Sequence, residues 1–351
     1  MAKVTLQSIA DQLGISRMTV SNAFSRPDQL SGELRARILE TARELGSVGP
    51  DPAARALARG TTGAVGVLLT DSLQYAFTDD VATRFLSAVV DGLAPSGLAL
   101  TLLTANERDD MMPARDVAID GALVYSCRPE STARDWLIRR KLPLVFVDQD
   151  PAPGIASVNV DDRAGALEAA QHLIDLGHRR VGIMTVTIDG PPRVVADPVA
   201  SPQAHPQGQR MLGWLDALGN AGVDPTVVQT HNREDQAREA ATLLLDAQER
   251  PTAVLCFSDV LARGVIRAGH ELGLVVPEDL SVVGFDDGPV AVRTEPALTT
   301  VHQDVAAKGH LAAAALIDAI KRARSGSTSR ARHVTLETKL IVRGSTSRPR
   351  A

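Results

Sequence analysis

The chain has 351 residues and a formal net charge of −5, enough for two or three domains but too acidic to coat nucleic acid along its length. Hydrophobic residues make up 44% and charged residues 23%, as in a globular protein, and no uncharged apolar run approaches the roughly 18 residues of a membrane span. The charge is uneven: the first sixty residues hold eight Lys/Arg against six Asp/Glu, a local +2 that leaves the remainder at −7. A basic head on an acidic body points to phosphate contact by the head alone. The opening "MAKVTLQSIADQLG" has no apolar stretch ahead of its polar residues and does not read as a secretory signal. Cys127 and Cys256 lie in apolar, strand-like text and read as buried reduced thiols, consistent with a cytoplasmic protein.

In chain order, Leu6, Ile9, Ala10 and Leu13 share one helical face, and Gly14 is placed to end that helix in a left-handed conformation. Ser16 is an N-cap candidate for a second helix reaching about Phe24, with Pro27 barring its extension. Ser31 caps a third helix with Glu33 in its first turn and Leu34, Ile38, Ala42 and Leu45 as its buried stripe. Two helices around a tight Gly turn, the second opening at Ser, form a helix-turn-helix pattern. In the second helix Val20, Ala23 and Phe24 can pack on the first. Arg17, Met18, Ser21 and Asn22 are then left outward, where a recognition helix meets base edges. Arg17 suits guanine, Asn22 adenine and Met18 a thymine methyl, while Thr19, Ser21 and the exposed amides suit phosphate.

"AARALAR" then offers a helix too short to be stable alone. After Gly63, short apolar runs such as "AVGVLLT", "GALVYS", "LPLVFVD", "RVGIMTV", "AVLCFSD" and "LSVVGFDD" alternate with helical text. This predicts an α/β body of two parallel sheets, covered on both faces. The segment Asp189–Gly208 carries five prolines and no apolar period, and reads as a cleft-edge lid or a plain loop. No dinucleotide, nucleophile-elbow, P-loop or HExxH motif is present, and the eight His residues, among them His172, His178 and His302, show no metal spacing. No enzyme activity, cofactor or metal site is therefore expected.

"VTLQSIADQLGISRMTVSNAF" closely resembles the N-terminal signature of the LacI/GalR family of bacterial transcriptional repressors. The resemblance continues through "SGELRARILETARELG", "PDPAARALARGTTGAVGVLL", "SVNVDDRAG", "HLIDLGHRRVGIM", "SVVGFDDGPVAVRTEPALTTVHQD" and "VRGSTSR". It implies a helix-turn-helix domain at 1–49, a hinge helix and linker at 50–62, an effector-binding and dimerising core at 63–345, and a tail at 346–351. The core would be two-lobed and like a periplasmic binding protein, with lobes at about 63–160 plus 303–326 and about 161–302 plus 327–345.

The DNA-contacting set implied is Thr5, Leu6, Ser16, Arg17, Met18, Thr19, Ser21, Asn22 and Ser31 in the head and Ala54, Arg55 and Leu57 in the hinge. Leu57 would be the wedge that enters the minor groove. For the effector, Arg210 matches the gripping Arg and Asp286 an acid that takes hydroxyls. Asp148, Ser258 and Phe77 match other cleft positions, with Trp214, Phe77 and Phe257 as stacking surfaces. The chain departs from the family at Ser258, where an Asn is common, at Val305, where an aromatic often closes the pocket, and around Gly49, where it carries an extra residue. The implied protein is a repressor, homodimeric because no leucine heptads follow "VRGSTSRPRA", on a palindromic double-stranded operator and under a small hydroxylated effector. The alternative is a DNA-binding regulator whose core answers to a protein partner or to no ligand.

Overall fold

Thr5, Ser16 and Ser31 each stand just ahead of an apolar helical period, and in the computed structural model each caps the helix that follows. Residues 4–47, 49, 51–69, 74–105, 111–128, 130–187, 190–199, 205–247, 249–327 and 330–350 are described. The chain divides into two compact units at the Gly63–Ala64 junction.

The first unit holds α1 (Leu6–Leu13), α2 (Arg17–Ser25), α3 (Gly32–Glu44) and α4 (Pro52–Arg59). Thr5 and Ser8 form a reciprocal capping box on α1, and Gly14 ends it at φ 65°. Ile9, Ala10, Val20, Ala23, Ile38 and Ala42 form one small buried core, with Leu6, Leu13, Phe24, Leu34 and Leu45 packed around it. Arg35 Nε donates to the Ala23 carbonyl at 3.3 Å and ties α3 to α2. Gly49 has φ 101°, and a Cβ there would lie 3.1 Å from the Phe24 ring, so any larger residue would be strained. By contrast, no described side chain of α4 is buried.

The second unit opens with β1 (Ala64–Leu69), α5 (Tyr75–Thr78), α6 (Asp80–Leu93), β2 (Ala99–Thr104), α7 (Pro113–Asp116) and β3 (Ala122–Tyr125). Next come α8 (Thr132–Arg139), β4 (Leu144–Val147), β5 (Ala156–Val160), α9 (Asp162–Leu176), β6 (Val181–Val186), β7 (Arg193–Val194) and α10 (His205–Asn220). They are followed by β8 (Thr226–Thr230), α11 (Glu234–Leu245), β9 (Ala253–Cys256), α12 (Asp259–Glu271), β10 (Ser281–Asp286) and α13 (Pro289–Arg293). The chain closes with β11 (Thr299–Gln303), α14 (Val305–Ser325), β12 (His333–Leu336) and β13 (Thr338–Ile341).

The strands form two sheets, in the orders β12-β5-β4-β3-β1-β2 and β13-β11-β10-β9-β6-β8-β7. All pairs are parallel except the outermost two of the second sheet, β11–β13 and β8–β7. Buried side chains run without alternation along β3, β4, β5, β9 and β10, as burial on both faces requires.

Three details correct the expected layout. The stretch after residue 326 does not belong wholly to the second lobe: β12 pairs with β5 in the first sheet, and only β13 joins the second. The segment expected as a tail is docked, with Ser347 N donating to Ser281 Oγ and Thr346 Oγ1 3.0 Å from His172 Nε2. The Pro-rich segment is neither lid nor plain loop throughout. Its β7 covers the edge of β8, Val195 packs on the core of the second sheet, and His205–Gly208 open α10. Its residues 189 and 200–204 lie outside the described ones.

Helix pairs approach closely at single glycines. A Cβ at Gly213 of α10 would collide with the Arg163 carbonyl oxygen and lie 2.9 Å from Ala166 Cβ on α9. Gly213→Ala is therefore expected to cost about 1–2 kcal/mol of core stability, read as a lowered urea midpoint. An unchanged midpoint would mean that α10 can shift freely.

Candidate functional site

In the head, the Ser16 hydroxyl accepts from Thr19 N at 3.0 Å and lies 2.8 Å from Thr19 Oγ1, so the start of α2 is fixed while its side chains point outward. Met18 is 70% exposed and Arg17 is exposed, as a groove-reading face requires. The other expected contacts are less free. Asn22 is half-buried and donates to Gln29 Oε1 at 3.2 Å, and Ser21 is half-buried, its carbonyl accepting from Ser25 Oγ. Leu6 packs against the head core. The hydroxyls of Thr5 and Ser31 accept from Ser8 N and Leu34 N, so both serve as caps. On α4, Asp51 accepts from Ala53 N, Ala54 and Arg55 are exposed, and Leu57 is 87% exposed.

In the second unit the chain crosses between the sheets after β5, after β11 and after β12. Polar side chains gather at the first two crossings and at neighbouring strand ends. Asp148 follows β4 at φ 51° and Asp286 ends β10 at φ 110°, left-handed backbone that Asp tolerates better than most residues. Arg210, on α10, sends Nε to Asp162 Oδ1 at 2.8 Å, Nη1 to the Phe257 carbonyl, and Nη2 to within 3.4 Å of Asp286 Oδ1. Its guanidinium also lies over the Phe285 ring at 3.5 Å and the Phe257 ring at 4.5 Å. Gln303 Nε2 donates to Asp286 Oδ1 at 2.7 Å. Lys308 Nζ donates to Asp148 Oδ2 at 2.6 Å and to Gln303 Oε1 at 3.1 Å. One buried network thus joins both sheets.

Arg210, Asp286, Asp148 and Phe257 are brought together. Ser258 is adjacent, accepting from Leu261 N as the cap of α12 and donating to Asn232 Oδ1 at 2.6 Å, while Asn232 Nδ2 donates to Asp79 Oδ2 at 3.1 Å. One expected residue falls elsewhere. Trp214 is enclosed in the hydrophobic core behind Arg210, so it offers no stacking face, because the turn that carries it packs against α9. Phe77, on the single turn α5, is 68% exposed. Val305, at the family's aromatic position, is buried in the core of the first sheet.

Sequence reasoning missed Asp162, Gln303, Lys308 and Asn232. Asp162 opens α9 just after β5 and Gln303 ends β11, and those positions at strand ends were the usable signal. Lys308 lies in α14, a helix that was not singled out from the sequence.

Burial pushes the Asp286 carboxyl up to about 7, and burial also raises Asp162 against the pull of Arg210. Asp259, bonded by Thr300 Oγ1 and Gly288 N, is raised by burial and then by the charge of Asp286. A carboxyl raised in the fold above its ordinary 3.8 stabilises the fold while protonated, and that contribution is lost as pH rises through 7. The melting temperature of the protein is expected to fall between about pH 5 and 7, and Asp286→Asn to flatten the fall. A slope unaltered by the substitution would exclude Asp286 as its source.

Among the described residues no group of three or more His, Cys, Asp or Glu could hold a metal ion, and no helix is long and apolar enough to cross a membrane. Residues 170–346 match the model of the periplasmic binding protein-like domain. The chain is 38% identical to the HTH-type transcriptional regulator IpsA of Corynebacterium glutamicum, over 91% of this chain and 92% of that one. It is 30% identical to the HTH-type transcriptional repressor CytR of Escherichia coli, over 97% and 96% of the two chains. Among solved structures, the transcriptional regulator CelR in complex with cellobiose is similar at a TM-score of 0.69 and 27% identity, covering 98% of this chain and 100% of that one.

Proposed function

The chain belongs to the LacI/GalR family of bacterial transcriptional regulators, and on that premise we propose that it is a homodimeric repressor of a palindromic operator, released or engaged by a small hydroxylated effector held between the two sheets. The observation that carries the DNA half is the capped start of α2, which holds Arg17 and Met18 outward on a fixed helix. CytR, similar over nearly the whole chain, bears the name of repressor. The effector half is supported by the convergence of Arg210, Asp286 and Asp148 where the chain crosses between sheets, and by the likeness to CelR, a structure with cellobiose. An effector bridging these groups would bias the relative orientation of the sheets and, through it, operator affinity.

Leu57 tests the hinge. Leu57 is 87% exposed on an eight-residue helix with no buried described side chain, and a minor-groove step would give it an apolar partner. Leu57→Ala is expected to weaken binding to the operator more than to random DNA in anisotropy titrations. Equal losses on both DNAs would show that Leu57 is not a wedge.

One observation favours a second reading, in which the core answers to a protein partner or to no ligand: Arg210 and Lys308 already hold the carboxylates they would offer. Thermal shift against sugars, polyols and nucleosides separates the two readings. Stabilisation by one compound class supports the effector, and none by any class supports the alternative.

A further inference from the structure

Lys308 belongs to no expected site, yet it is among the largest fully enclosed side chains, 1% exposed, in the first turns of α14 just after the chain crosses from β11. An ammonium is seldom buried without a role or a close counter-charge. Its counter-charge is Asp148 at 2.6 Å, on the first sheet, and its second partner Gln303, on the second sheet, also bonds Asp286. The Tyr125 ring lies 5.8 Å from Nζ and is itself stacked on Phe85 at 4.5 Å.

The charge balance of this cluster is uneven. Asp148, Asp162 and Asp286 face Arg210 and Lys308, three carboxyls against two cations, and both cations are already engaged by them. Asp148 Oδ1 and Asp162 Oδ2 are buried and accept no hydrogen bond from the described residues. A buried carboxylate oxygen calls for a donor. The cluster is therefore rich in acid and short of donors. An incoming anion would find both cations already engaged by carboxyls, whereas hydroxyl groups could donate to the two bare oxygens. Without Lys308 the excess of acid would be larger still, and the missing positive charge would have to come from the ligand.

We propose that Lys308 sets the chemical class of the effector, supplying from the protein the cation that Asp148 requires, so that the site takes an uncharged polyhydroxylated molecule in preference to its phosphate ester, its carboxylate or its amino derivative. This rests on the reading of the crossing region as an effector site and goes further by fixing the charge of what enters.

The test is calorimetric titration of the full chain and of Lys308→Met with matched sets of probes, such as glucose, glucose 6-phosphate and glucosamine, and the equivalent sets built on pentoses, other polyols and disaccharides. The neutral member that binds the unaltered protein is expected to do so at least tenfold more tightly than its phosphate ester. Lys308→Met is expected to weaken the neutral member at least tenfold and to prefer the amino derivative. The variant leaves Asp148 buried without its counter-ion, so Lys308→Met/Asp148→Asn, with no unpaired charge at that position, is measured beside it and is expected to lose the amine preference. A phosphate ester that binds the unaltered protein more tightly than its neutral parent, or an amine preference that survives in the paired variant, overturns the assignment and leaves the effector reading standing. Binding by no member of any set to any of the three proteins overturns the effector reading itself, and this inference with it.

Discussion

Arg210→Met is expected to lower the stability of the protein by about 3–5 kcal/mol, a fall in melting temperature on the order of 10 °C. The size follows from what the substitution leaves behind. Arg210 is enclosed together with Asp162, and its loss takes from that carboxyl and from the nearby Asp286 the cation they are ion-paired with. Removing one partner of a buried pair costs far more than the pair contributes, because the surviving charge stays out of water. The packing of the guanidinium on Phe285 and Phe257 is lost as well. Arg163 provides the internal contrast. It bonds Asp216 at 2.6 Å, but the two side chains are about half and two-fifths exposed, so Arg163→Ala should change stability by less than about 1 kcal/mol. Scanning calorimetry on both variants decides the matter. Equal, small shifts would mean that the Arg210 network opens to water and does not anchor the crossing region.

Arg17→Ala is expected to reduce discrimination between operator and random sequence by about 1–3 kcal/mol, five- to more than a hundredfold in relative affinity. Arg17 is exposed at the first position of α2, beside an intact cap, so the substitution leaves the helix in place and removes a forked donor. Asn22 should contribute less than its residue type suggests, because its amide is already committed to Gln29. Competition anisotropy with the preferred duplex and with single-base variants reads both effects. A loss that is uniform across all sequences would move Arg17 from base reading to phosphate contact.

The head was legible because its signals are local. Gly14 needs a left-handed angle, Ser16 and Ser31 need an amide to cap, and Leu6, Ile9 and Ala10 keep a helical period, all within a few residues of one another. The alternation of body strands and helices was legible for the same reason. Among the strands that were passed over, β8, β11, β12 and β13 are rich in Thr, Gln, Lys and His and lack a continuous apolar run. They form because neighbouring strands offer a ladder, which is a tertiary cause. The crossing network shows the limit most plainly. Arg210, Asp148 and Asp286 were visible through resemblance, but Lys308 joins Asp148 from 160 positions away in the chain. Nothing in its helical surroundings sets it apart from a solvated lysine. Trp214 was misplaced for the converse reason: an aromatic one turn from a site residue can face either the cleft or the core, and the packing of α10 on α9 turns it inward.

The measurement that bears most directly on the central claim is a titration of the full chain against a palindromic duplex, obtained by selection from random sequence, and against a scrambled duplex, over a range of salt concentrations. A repressor of this kind should bind the palindrome as two chains per duplex, on the order of a thousandfold more tightly than scrambled DNA, with both affinities falling steeply as salt rises. Affinities for the two duplexes that agree within a few fold at every salt concentration would contradict it.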